Sequence, residues 1–289
     1  MKQYLLYKEQ IEGLRDVEET IKVVEKSAAA RIHFLKKKVK NLFVYKKAIE
    51  DQLYRMTALG IRGKHPLLKH RTSGDRILVV LSGNEGMVGD LYHKLVNRFL
   101  QDAKQFDTIF VIGTKVTEYL DEEGVKSESL FLEDKNRDSI ENIQQSTDIL
   151  FHSFLEKNVQ SIDVLYPSFI SLGNQEMKIE RFLPFDFSYQ KEQKEEIREE
   201  ANDQSGWPLF DPSHEQIFQK LLQRYVEIFF KEMVLDMKLS EYSARTVTAE
   251  NAVHKTQEKG HTLMNAYRKE RKKRITRKQM ESFASLKKT

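Results

Sequence analysis

The chain has 289 residues, of which 39% are apolar and 32% are charged, and it carries a net charge of +4 and no cysteine. This balance favours exposed helices over one large core, and the lack of cysteine excludes disulfides and thiolate metal sites. No stretch has the roughly 20 apolar residues of a membrane span, and the first residues do not form a signal peptide. We therefore expect a soluble protein without direct membrane insertion.

The first segment, residues 1–60, is predicted to be one long helix. It contains no proline, and Gly13 is its only glycine before residue 60; proline costs about 3 kcal/mol inside a helix and glycine about 1 kcal/mol. Apolar residues recur at steps of three and four, as in a heptad seam. Two successive steps of four, from Val24 through Ala28 to Ile32, predict a stutter. The predicted seam consists of Leu14, Val17, Ile21, Val24, Ala28, Ile32, Leu35, Val39, Leu42, Lys46, Ile49, Leu53 and Met56.

The middle segment, residues 61–211, is predicted to be an inserted, Rossmann-like α/β domain. It holds four of the five prolines, and its apolar run Arg76–Leu81 is typical of a buried strand. Further strand signals and helical patterns alternate along it, which indicates a small sheet covered by helices. The other strands are predicted at 108–112, 162–170 and 178–183, the helices at 91–99, 114–123 and 137–157, and an exposed loop or frayed helix at 190–203.

The last segment, residues 212–289, is predicted to be a second long helix, because Pro212 takes a helix-initiating position. Its early turns carry a strong apolar face, whereas apolar residues become sparse beyond Ala252. A helix this polar must be solvated or enclosed by another protein. Since the insert leaves and rejoins the two helices near one place, we expect a long antiparallel coiled coil. The apolar face consists of Phe218, Leu222, Tyr225, Phe229 and Met233.

The glycine-rich turn after the first strand, residues 82–89, is a candidate phosphate site, because a strand, a glycine loop and a helix can together bind an anion. Its glycines are spaced GxxGxxG, no GK[ST] follows, and Glu85 would repel phosphate. The histidines show no metal-ligand spacing, and no serine or threonine has the context of a nucleophile. We therefore expect no cofactor, no metal and no catalytic residue.

The strongest charge feature is the run 268–278, which has eight basic residues and only one acidic residue, Glu270. Three interpretations are open: a solvated helix face, a nucleic-acid site, and a docking strip for acidic residues of a protein partner. Aromatic residues for base stacking are absent from the run, which disfavours nucleic acid. A nucleic-acid binder would show salt-sensitive retention on DNA or RNA.

Several short motifs occur in an order that points to one family. Ser240–Val247 is similar to the stretch SEhaARmV, Asn251-Ala252 to an NA pair, and Ile275-Thr276 with Glu281 to a closing IT…E signature. Val79–Gly83 with Gly86 and Gly89 is similar to the strand and turn VVITSDRGLCGG. At the other end, residues including Ala28, Ala29 and Arg31 fit an I…K……K..E..AA.K run. Together these motifs resemble the γ subunit of F-type ATP synthases, the central rotor stalk, over essentially the whole chain.

The sequence departs from that family at several places, which marks it as a divergent member, and two of them bear on the expected contacts. The turn SDRG is replaced by Gly83–Gly86, which reverses a charge at Glu85, and Lys272 stands where glutamine is usual. The resemblance implies contacts with the catalytic hexamer and, for two residues of the glycine turn, with the ε subunit or the membrane ring. The expected hexamer contacts are Arg31, Arg245, Asn251, Arg268, Arg271, Lys272 and Thr276, and the other two are Glu85 and Gly86.

The function implied by the resemblance is that of a rotating shaft. The paired helices would stand inside a hexamer of α and β subunits, while the insert would bind the ε subunit and the c-ring at the cytoplasmic face of a bacterial membrane. The chain itself would be a non-catalytic subunit that couples ion flow to ATP synthesis or hydrolysis. The alternative is a γ-like coiled-coil scaffold of an ATPase that does not conserve energy, or of another assembly.

Overall fold

Two long helices begin and end the computed structural model, which describes residues 3–58, 65–130, 140–156, 158–185, 211 and 213–286. Helix α1 spans Gln3–Ala58 and helix α5 spans His214–Leu286. The loop predicted at 190–203 lies outside the described residues. Between the long helices lie β1 (Asp75–Leu81), α2 (Leu91–Asp102), β2 (Thr108–Ile112), α3 (Thr114–Glu122), β3 (Glu128–Ser129), α4 (Ile140–Glu156), β4 (Val159–Ser171) and β5 (Asn174–Leu183).

The five strands form one sheet in the order β3-β2-β1-β4-β5. Strands β1 to β4 run parallel, and β5 pairs antiparallel with β4 at one edge. This is the doubly wound arrangement in which the chain moves outward from a central strand in both directions. The prediction of an α/β fold with long terminal helices and an inserted sheet domain is confirmed.

The chain divides into two units, and both long helices contribute to each. The first unit comprises Met1–Ala30 and Arg245–Thr289. In it Glu18 of α1 accepts a hydrogen bond of 2.8 Å from Gln257 of α5, and the Tyr4 ring lies 6.4 Å from that of Tyr267. Residue numbers rise along α1 as they fall along α5, so the helices pair antiparallel within this unit.

The second unit comprises Arg31–Ala244 and contains the sheet. Its parts of α1 and α5 also pair antiparallel, since Ile32 and Leu35 pack on Leu235 and Leu239, and further along Lys46 forms an ion pair with Glu232. The predicted domain boundaries at residues 60/61 and 211/212 stay a prediction.

Each face of the sheet has its own hydrophobic core, as expected for a largely parallel sheet. On one face, Val79 and Val164 pack with α1, α4 and the α5 residues from Phe218 to Met237. On the other face, Val80 and Leu165 pack with α2, α3 and Ala244 of α5. Helix α5 therefore takes part in both cores, and its change from one to the other falls between residues 237 and 244.

The seam of α1 differs from the prediction at Val17. Val17 is 50% exposed, whereas Glu18 is half-buried and Ile11 is buried. Glu18 occupies the seam because its carboxylate accepts hydrogen bonds from Lys22 and Gln257, and these bonds, that from Lys22 first, lower its pKa.

The predicted stutter depends on which residue occupies the seam before Ala28, and Val24 and Glu25 are both half-buried there. With Glu18 and Glu25 in the seam, steps of three and four alternate from Ile11 to Met56, whereas Val24 gives two successive steps of four. The stutter therefore stays a prediction.

Candidate functional site

A groove of about 500 Å³ lies on the surface of α5 in the first unit. Four of the predicted hexamer contacts line it, namely Arg268, Arg271, Lys272 and Thr276. They share one face because they recur at steps of three and four along the helix. The remaining lining residues are Met264, Tyr267, Ile275 and Gln279, so the groove combines cationic with apolar side chains.

The basic run is exposed, and only part of its charge is neutralised within the chain. Lys273 pairs with Glu270 at 2.7 Å, and Arg277 pairs with Glu281 at 3.1 Å. Within the described ranges, no ion pair involves Arg268, Arg271 or Lys272. Cations on the surface of a bare helix favour an acidic partner by long-range attraction and by contact.

An aromatic contact beside the groove was not predicted from the sequence. The guanidinium carbon of Arg274 lies 4.6 Å from the centre of the Tyr4 ring, which is a cation–π geometry. Tyr4 also faces Tyr267, one of the groove residues. The YLLY motif at residues 4–7 shows that aromatic residues are present, but spacing alone cannot pair them with residues more than 260 positions away.

The other predicted hexamer contacts differ in exposure. Asn251 is exposed on α5, and Arg31 is exposed on α1 in the second unit. Arg245 is only 5% exposed, so it offers little surface to a partner. The role of all seven residues as hexamer contacts stays a prediction.

The glycine turn between β1 and α2 is interlocked with the turn between β2 and α3. The amide of Thr114 donates to Asn84 Oδ1 at 3.0 Å, and the amide of Lys115 donates to the Gly83 carbonyl at 3.2 Å. The hydroxyl of Tyr92 accepts a hydrogen bond from the Gly83 amide. Glu85 and Gly86, the predicted ε or ring contacts, lie on the exposed outer part of this turn.

The carboxyl edge of the sheet, where open α/β sheets usually bind ligands, is covered by α5. Glu241 is 6% exposed and lies against Gly83, since a β-carbon at Gly83 would be 2.5 Å from its Oε2 atom. A carboxylate thus occupies the position that a phosphate takes in nucleotide-binding members of this fold class. The absence of a side chain at Gly83 gives Glu241 its space.

Gly113 in the second turn is expected to tolerate no side chain. Its φ of 102° is unfavourable for other residues, and a β-carbon would lie 2.6 Å from the Ser82 carbonyl carbon. Gly113→Ala should lower the free energy of unfolding by about 3 kcal/mol, from backbone strain and overpacking together.

The matched control is Gly124→Ala, because Gly124 also has a positive φ, of 70°, but open space around its α-carbon. It should cost only about 1–2 kcal/mol. Urea unfolding of both variants tests the difference, and equal costs would contradict the crowding at Gly113.

The described residues contain no helix that is apolar enough over a sufficient length to cross a membrane. They also contain no group of three histidine, aspartate or glutamate side chains placed to share a metal ion.

The class of protein follows from these elements. Long terminal helices that pair antiparallel within each unit, together with an inserted doubly wound sheet, define a subunit built from a helical pair and an α/β domain. The family model described as ATP synthase matches residues 5–282. The chain belongs to the ATP synthase gamma family.

Curated relatives and solved structures agree with this family. The ATP synthase gamma chain of Bacteroides fragilis is 23% identical over 273 residues, which covers 92% of this chain and 91% of the relative. That of Bdellovibrio bacteriovorus is 23% identical over 281 residues and 94% of each chain.

Two solved structures share the fold. A chain of the Euglena gracilis mitochondrial ATP synthase, in its OSCP/F1/c-ring assembly, has a TM-score of 0.65 at 16% identity and covers 98% of this chain and 93% of its own length. A chain of the central stalk and c-ring of the Tetrahymena thermophila enzyme has a TM-score of 0.51 at 14% identity, and covers 81% of this chain and 99% of its own.

Proposed function

We propose that this gamma-family chain is the central shaft of a rotary ATP synthase and that its basic groove contacts the catalytic subunits. The observation that carries the proposal is the family match from residue 5 to residue 282. It includes both helices that would form the shaft and the whole inserted domain. The partners are the α and β subunits around the helices and the ε subunit and c-ring at the α/β domain.

The groove supports this function by its chemistry. Arg268, Arg271 and Lys272 present cations beside apolar lining residues, which suits acidic and apolar side chains of an enclosing subunit. Charged contacts of this kind associate and dissociate readily, since each exposed pair contributes only about 0–1 kcal/mol. A shaft that turns against three equivalent catalytic sites needs such weak, repeated contacts.

The chain supplies no catalytic group in this proposal. Its rotation changes the affinity of catalytic sites that lie on the neighbouring subunits, and ion flow through the ring drives or follows that rotation. We place the complex at the cytoplasmic face of a bacterial membrane, to which this chain would be attached only through its partners.

The test is affinity purification of the tagged chain from its native source, followed by assay of the purified complex. We expect α and β subunits to co-purify in excess over the chain, together with ATPase activity. In membrane vesicles, ATP addition should drive ion uptake. Purification of the chain alone would overturn the proposal, and ATPase activity without ion uptake would favour the scaffold function instead.

A further inference from the structure

Helix α5 contacts the ends of two neighbouring strands in the part that lies between the two cores of the sheet. Met237 belongs to the core on one face of the sheet and Ala244 to the core on the opposite face. Between them the helix passes the carboxyl ends of β1 and β4. Two acidic side chains, Asp236 and Glu241, lie at this passage.

Asp236 binds the end of β4. Its Oδ2 atom accepts a hydrogen bond of 2.7 Å from the Ser168 hydroxyl, and its Oδ1 atom accepts one of 3.1 Å from the Phe169 amide. Burial raises the pKa of Asp236, while the two donors act in the opposite direction. Both carboxylate oxygens are therefore engaged with the same strand end.

Glu241 binds the turn that follows β1. Its carboxylate is buried against the α-carbon of Gly83, whose amide is held by the Tyr92 hydroxyl at 3.1 Å and whose carbonyl accepts from Lys115. The position is therefore a fixed part of two interlocked turns. Five residues, or about one and a half helical turns, separate this contact from that of Asp236.

We propose that Asp236 and Glu241, which we call the carboxylate latch, are positioning residues that fix the rotational angle of α5 on the sheet. The α/β domain and the adjoining part of the shaft then turn as one body, and torque passes between them without slip. This inference rests on the proposed rotary function. The carboxyl edge of the sheet, where other open α/β sheets bind ligands, would then have a mechanical role in this chain.

Close packing of the two cores already restricts the rotation of α5, but hydrophobic burial itself is not directional. Hydrogen bonds weaken steeply with angle, and a charged acceptor roughly doubles their strength. The two hydrogen bonds of Asp236 and the Glu241 carboxylate packed against Gly83 therefore add directional contacts at the ends of adjacent strands.

The first test uses the isolated full chain and does not depend on rotary function. Asp236→Ala removes the acceptor of the Phe169 amide, whose hydrogen exchange should accelerate about tenfold. The control Asp148→Ala removes an exposed aspartate of α4 and should leave that exchange rate unchanged. An unchanged rate in Asp236→Ala would overturn the contact on which the latch depends.

The second test measures torque transmission in the assembled complex. The chain has no cysteine, so Glu118→Cys on the exposed side of α3 provides a unique attachment for a bead on the α/β domain. With the hexamer fixed to a surface, the bead should show a wider angular distribution at each pause in the double variant Asp236→Ala, Glu241→Ala. The rate of ATP hydrolysis at saturating ATP should stay unchanged.

The outcomes separate the latch from the proposed function. Failure of the unchanged chain to assemble with α and β subunits would contradict rotary function. An angular distribution of the double alanine variant as narrow as that of the control Asp148→Ala would overturn the latch. If the double alanine variant does not fold, Asp236→Asn with Glu241→Gln keeps the shape and removes both charges. That pair should give an intermediate width, and an unchanged width would again overturn the latch.

Discussion

Phe230→Ala is expected to lower the free energy of unfolding by about 3–5 kcal/mol. Phe230 is fully buried in the core formed by α1, α4, α5 and one face of the sheet, and its ring lies 5.2 Å from that of Phe182. Alanine would leave a cavity at the junction of those elements, which cannot all relax into it. Urea unfolding of the full chain, followed by circular dichroism, measures the change.

The control for this prediction is Phe283→Ala on the same helix. Phe283 is 72% exposed, so its replacement should change the free energy of unfolding by no more than about 0.5 kcal/mol. A loss below about 1 kcal/mol for Phe230→Ala would show that the core is less closely packed around this ring than the structure indicates.

Reversing two charges in the groove is expected to impair the complex without unfolding the chain. Arg271→Glu with Lys272→Glu places two carboxylates where an acidic partner would approach, and ATP-driven ion uptake should fall about tenfold or more, because like charges across a contact are strongly unfavourable. Both side chains are exposed, so the unfolding curve of the isolated variant should match that of the original chain.

A matched pair of reversals distinguishes the groove from the overall charge. Lys255 and Lys259 are exposed on the same helix outside the groove. Lys255→Glu with Lys259→Glu changes the net charge by the same amount and should retain ion uptake. Equal losses in both variants would indicate a general charge effect, and unchanged turnover in the groove variant would refute the contact.

The elements with strong patterns were predictable from the sequence. The strand at Thr108–Ile112 is found with the predicted bounds, and Asp75–Leu81 extends its prediction by one residue. Both long helices begin and end within a few residues of prediction, because their interiors contain no proline and one glycine each, Gly13 and Gly260. β3 was missed, since its two residues are too few to show any period.

The acidic contacts of α5 were not predictable. Asp236 lies among apolar residues and Glu241 belongs to the Ser240–Val247 motif, but the spacing along a helix does not identify the partner of either side chain. Ser168 is 68 residues before Asp236 in the chain, and Gly83 is 158 residues before Glu241. Only the strand order brings both strand ends to one edge, and that order is set by tertiary packing.

The groove was partly predictable, because helical spacing shows which residues share a face but not how the surface around them is shaped. A basic run on a helix of regular spacing shows which residues share a face, so Arg268, Arg271, Lys272 and Thr276 could be grouped from the sequence. The apolar part of the lining was not predicted, because Met264 and Ile275 are isolated among polar residues and only the shape of the surface brings them into the groove.

The pairing in the first unit has a consequence for the synthesis of the protein. It joins residues of the first 30 positions to residues beyond 244, so residues 1–30 meet their partners only after the ribosome has added more than 200 further residues. At about 5–20 residues per second, the N-terminal helix waits roughly 10–50 s on the ribosome. Half-buried glutamates such as Glu18 and Glu25 then have a second benefit, because they reduce the apolar surface through which a nascent helix could aggregate during this delay.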